Sequence, residues 1–116
     1  MSSREKFTSS APHGSFIVVD SPDAVDVTLR GEFDVSSTDA SRKVIEHIGE
    51  LLGATARPVR IEMSAVSFFD AAGIRFLLQS EGIANLAGTT STVQNPSSDV
   101  RRLLDLLDLH RMVDDA

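Results

Sequence analysis

The sequence predicts an α/β fold: a small sheet, opened by a β-hairpin, with its helices packed mainly on one face. Three observations carry this. Residues 16–30 hold two apolar runs separated by turn residues. Beyond them, short β-branched segments alternate with stretches whose apolar residues recur at helical spacing. The chain has 116 residues, enough for one domain with its own core.

The elements follow in order. Residues 1–14 are Ser-rich, contain Pro12 and Gly14, and show no hydrophobic period. They read as a flexible N-terminal arm, with the domain spanning 15–116. Phe16 to Val19 is an apolar run, and Asp20 to Asp23 supplies a turn. Val25, Val27 and Leu29 then alternate with polar residues, the signature of a half-buried strand. Ser36, Ser37 and Thr38 are N-cap candidates for a helix whose stripe is Val44, Ile45, Ile48, Leu51 and Leu52, ending near Gly53. Val59, Ile61 and Met63 form a short strand. Asp70 is placed to cap a second helix, apolar on more than one face, that stops at Gly88. Thr89 to Val93 is a β-branched, rather polar strand. Asn95 to Ser98 starts a third helix with the stripe Val100, Leu103, Leu104 and Leu107. Met112 and Val113 suggest a last short strand. Right-handed crossovers after the hairpin would make much of the sheet parallel.

Composition narrows the function. Eleven Lys and Arg against seventeen Asp and Glu give a net charge of −6, which disfavours nucleic acid and anionic membranes as partners. The absence of cysteine removes disulfides, thiolate metal sites and thiol redox control. Without Trp or Tyr, a large aromatic recognition surface is not expected. No apolar run approaches the ~20 residues of a membrane span, and the N-terminus lacks a signal-peptide core. The expectation is a cytoplasmic protein.

Catalytic signals are weak. His13, His47 and His110 are scattered, with no metal-ligand spacing, so neither a metal nor another cofactor is expected. No nucleophile elbow or phosphate-binding glycine loop occurs. Asp34 and Asp70 both fall at strand-to-helix junctions, where sites collect in parallel sheets. They could serve as an acid–base pair, but helix capping accounts for Asp70 better.

The stretch Met63 to Leu78 carries more information. Its Phe68-Phe69-Asp70-Ala71-Ala72-Gly73-Ile74 resembles the Asp-Ser-Ser-Gly-Leu pattern of the STAS domain family, the anti-sigma factor antagonists of bacterial stress and sporulation switches. Leu29-Arg30-Gly31-Glu32-Phe33-Asp34 is similar to that family's Leu-x-Gly-Glu-Leu-Asp. Asn95-Pro96 with Val100 to Asp105 is similar to its Ser-Pro-x-Val-x-Arg-Leu-Phe segment. The resemblance covers about residues 15–114 and implies a mixed sheet of four or five strands. It also implies a non-enzymatic role: binding an anti-sigma factor that is a GHKL-type serine kinase, thereby freeing a sigma factor. The kinase phosphorylates the first serine of the pattern and so breaks the complex.

Here that position is Ala71, followed by Ala72, and neither has a hydroxyl. The family switch therefore cannot operate at this position. The partner surface implied by the resemblance comprises Glu32, Phe33 and Asp34 together with Phe69, Asp70, Ala71, Ala72, Gly73, Ile74 and Arg75. Three readings remain open: an antagonist without phosphoryl control, one modified elsewhere (Ser36, Ser37, Thr38 or Ser67), and a non-switching scaffold or small-ligand sensor.

Overall fold

A computed structural model describes residues 6–114. Five strands, β1 (Lys6–Ser10), β2 (Gly14–Ser21), β3 (Ala24–Phe33), β4 (Val59–Phe69) and β5 (Ser91–Gln94), form one sheet in the order β1-β2-β3-β4-β5. The first three are antiparallel neighbours, while β3, β4 and β5 run parallel. Helix α1 (Thr38–Ala54) links β3 to β4, α2 (Ala71–Leu86) links β4 to β5, and α3 (Ser98–Leu106) follows β5. This is the expected α/β arrangement, with a mixed sheet.

One face of the sheet makes the core. Phe16, Val18, Val25, Val27, Leu29, Val59, Ile61 and Met63 point into it and meet Val44, Ile48, Phe76, Leu77 and Leu104 from the helices. Phe16 anchors the centre, its ring 5.0 Å from both Phe33 and Phe76. The alternate strand residues are more polar. Arg60 pairs with Asp26 at 2.8 Å, and that carboxylate raises the arginine above its ordinary value. Burial alone would raise the Glu62 carboxyl. Hydrogen bonds from Ser64 and Asn95 outweigh it and hold the group below its usual range.

Between α1 and β4, the buried Arg57 closes the bottom of the molecule. Its guanidinium donates to the carbonyls of Ser21, Leu51 and Thr55 and pairs with Asp20. One side chain thus satisfies carbonyls at the end of α1 and ties them to the β2–β3 turn.

Three expectations need correction. Residues 6–10 are not arm but edge strand. Phe7 and Ser9 face inward, with Phe7 stacked on His47 at 4.3 Å and the Ser9 hydroxyl donating to Ala40 O at 3.0 Å. One apolar residue and one buried hydroxyl leave little period to read. His47 accordingly is half-buried rather than on a free polar face. Strand β4 runs through Phe69 instead of stopping near Met63. Register shifts against β3 break its alternation, so Met63, Val66 and Phe69 turn inward at intervals of three. Finally, residues His110–Met112 form a 3₁₀ turn, and only a single parallel bridge joins Val113 to Val93. Residues 1–5 of the expected arm lie outside the described residues.

Candidate functional site

Strands β3 and β4 end side by side, and this places the two sequence landmarks together. Phe33 is the register partner of Phe69 and Glu32 of Phe68. The Asp70 amide donates to Phe33 O at 3.2 Å. Both carboxylates then turn back onto their own chain. Asp34 accepts the Ser36 amide at 2.9 Å and the Ser36 hydroxyl at 2.5 Å. The Asp34 amide donates to Ser37 Oγ at 3.2 Å, completing a capping box over the short turn Val35–Ser37. Asp70 accepts the Ala72 amide at 2.9 Å and caps α2. With both carboxylates committed to helix starts, the acid–base alternative loses its support.

The Ser36 hydroxyl, then the Ser36 amide, hold the Asp34 carboxyl below its ordinary value, aided by His13. A depressed carboxyl stabilises the fold above its unfolded value, about 3.9, and this contribution is lost as pH falls through the folded value. The thermal-stability gap between the native chain and Asp34→Asn should therefore shrink from pH 6 to pH 3. A gap unchanged over that range would show that the charge contributes nothing.

The predicted partner residues separate by exposure. Glu32, Ala71 and Arg75 are exposed, and Asp34, Asp70 and Ala72 are half-buried. Phe33, Gly73, Phe69 and Ile74 are buried, the first two wholly in supporting roles. Phe33 is core. Gly73 lies directly against the Phe69 ring, where any Cβ would collide. Phe69 and Ile74 keep a small exposed edge at 9% and 8%.

These edges line an apolar groove of about 650 Å³ between the start of α2 and α3. Phe68, Ala71, Leu103 and Leu107 complete it, with Asp70 at its rim. Phe68 and Leu107, which share its lining, are each 48% exposed, so the groove presents contiguous apolar surface. The sequence reading missed Phe68, Leu103 and Leu107 as surface residues. The signal was the pair Leu103/Leu107, four residues apart and offset from the buried Val100/Leu104 pair. Leu109, just beyond α3, is buried, while Leu106 is 77% exposed.

On the other side of α2, a cleft of about 260 Å³ separates it from α1, with Ile45 in its lining and two arginines among its residues. Thr38, Ser41, Arg42, Glu46, Ala72 and Arg75 contribute to it. The candidate site is thus a ridge, the first turn of α2, between an apolar groove and a cleft that holds Arg42 and Arg75. Among the described residues no cluster of three or more candidate metal ligands occurs, and no helix is long and apolar enough to cross a membrane.

Residues 15–115 match the STAS domain family, and the chain belongs to it. Comparison with curated proteins gives no match. Solved structures agree on the fold. The anti-sigma factor antagonist SpoIIAA in its unphosphorylated form is similar with a TM-score of 0.73 at 21% identity, over 87% of each chain. The phosphorylated form of SpoIIAA from Bacillus gives 0.69 at 20% identity, over 87% of this chain and 90% of that one. An anti-sigma factor antagonist from Mycobacterium paratuberculosis gives 0.74 at 22% identity, over 92% and 91%.

Proposed function

We propose that this chain is a binding module that engages an anti-sigma factor of the serine-kinase type and thereby releases a sigma factor. The contact surface is Glu32, Asp34 and the first turn of α2, with the groove beside it. The single observation that supports it best is the α2 start. Ala71 is an exposed residue of that first turn, directly after the Asp70 cap and on the rim of an apolar groove. A partner that covers this ridge buries apolar area and meets no hydroxyl that phosphoryl transfer could modify at position 71.

The direct test is binding of the purified chain to the anti-sigma factors of its source organism. Absence of binding at micromolar concentration to every one of them would remove the antagonist role. Two variants sharpen it. Ala71→Asp should weaken binding at least about tenfold by placing an unpaired charge in the contact. An acidic residue in the first turn suits the helix dipole, so folding should not suffer and the loss can be read as contact. Ala71→Ser should gain phosphate at position 71 from the cognate kinase and ATP, whereas the native chain gains none between 67 and 75.

A further inference from the structure

The hydroxyls near the site differ sharply in their surroundings. Ser37 is buried, out of reach of a modifying enzyme. Ser36 is exposed, but its hydroxyl donates to the Asp34 carboxylate at 2.5 Å, so a phosphate there would face an existing negative charge. Ser67 is exposed and lines a small pocket with Asp99, Ser97 and two phenylalanines, with no basic group among its lining residues. Thr38 has the opposite setting. It is exposed, opens α1, and lines the α1–α2 cleft together with Arg42 and Arg75.

We propose that Thr38 is a phosphoacceptor whose phosphate is held in this cleft by Arg42 and Arg75. Three physical features converge on it. First, Thr38 is the first residue of a 17-residue helix, where the helix dipole favours an anion. Second, Arg42 lies four residues on, one turn along the same face. Its present partner is Asp39, an exposed pair at 3.5 Å, a weak, solvent-screened contact that is easily exchanged. Third, Arg75 reaches the cleft from the other helix and has no ion pair or hydrogen bond among the described residues. Guanidinium groups from two helices can grip one phosphate in a way that neither would alone. Opposing terms are present too. Glu46 also lines the cleft, Asp39 directly follows Thr38, and Asp34 lies four residues before it. The Thr38 hydroxyl also donates to Val35 O at 2.9 Å, a bond that must open first. It is an exposed hydrogen bond, so little opposes this.

The reaction is transfer from ATP by a protein kinase. A bond forms between Thr38 Oγ1 and the γ-phosphorus, and the bond to the β–γ bridging oxygen breaks. The hydroxyl proton passes to the kinase's base, and ADP leaves. The product adds about two negative charges at neutral pH and draws Arg75 away from the ridge. On the reading of the ridge as a partner surface, phosphate on α1 would take over the control that Ala71 has lost; the acceptor assignment itself does not need that reading.

Two measurements test it, and neither uses an anti-sigma factor. The full chain, made with phosphothreonine encoded at position 38, is titrated by phosphorus NMR. The second ionisation should fall at lower pH in the native background than with Arg42→Gln/Arg75→Gln, with about a threefold or greater difference in proton affinity. Equal values in the two backgrounds would overturn the cleft as the holder of the phosphate. Separately, the native chain is incubated with source-cell extract and magnesium ATP and its phosphosites are mapped. Phosphate on Thr38 that persists in Ser36→Ala and disappears in Thr38→Val is expected. Phosphate confined to Ser36 or Ser67, or none at all, would overturn the assignment.

Discussion

Replacing Phe33 by alanine should lower the folding free energy by about 3–5 kcal/mol, the range for truncating a buried phenylalanine. Phe33 is 1% exposed. Its ring meets Phe16 edge-on at 5.0 Å and tilts toward Phe69 at 6.3 Å. The cavity would open beneath the ends of β3 and β4, under the ridge itself. Against a typical stability of about 5–15 kcal/mol the loss is large, and the urea midpoint should drop accordingly at an unchanged slope. Phe33→Leu, which keeps most of the volume, should cost less than about 2 kcal/mol and leave partner affinity unaltered. The opposite pattern, a stable Phe33→Ala chain that no longer binds, would return Phe33 to the contact surface.

That residue shows where sequence alone is informative and where it stops. The hairpin, the helix stripes and the Asp70 cap were legible because each is a local pattern, fixed by alternation, by helical period or by one side chain bonding its own backbone. The pairing of Phe33 with Phe69 was also within reach, since two parallel strands ending at matching motifs must lie together. That both rings would turn toward the core was not legible. That depends on register shifts in β3 and β4, and a one-residue shift exchanges inside for outside. The shifts come at Thr28/Arg30 and Gly31/Glu32, and no period-two template contains them. The groove was hidden for a related reason. Leu103 and Leu107 read as part of one stripe with Val100 and Leu104, and only the placement of α3 against α2 shows that they border an open surface. Strand β1 was unreadable because its order comes from edge pairing to β2 rather than from its own apolar content.

The second shift depends on Gly31, and Gly31→Ala is expected to cost about 2–4 kcal/mol, combining a left-handed backbone with a forced backbone contact. Gly31 has φ +92°, and a Cβ built there would stand 2.5 Å from His13 O. That oxygen cannot swing aside as a side chain would, because it already accepts the Glu32 amide at 2.8 Å. Gly14, its register partner, is equally confined, with Glu32 O 2.5 Å from its would-be Cβ. Two glycines thus let β2 and β3 approach closely where β3 also slips against β4. The slip turns Phe33 inward and sets its carbonyl to receive the Asp70 amide, which fixes Asp34 beside Asp70. Gly88 provides the control. It too has positive φ, at +79°, but nothing lies within 4 Å of its would-be Cβ, so Gly88→Ala should cost only the backbone term of about 1–2 kcal/mol. If the close approach at Gly31 shapes the ridge, Gly31→Ala should lose partner affinity as well as stability, while Gly88→Ala loses stability alone. Equal thermal shifts for the two variants, with binding intact in both, would mean that the bulge can relax without moving Asp34.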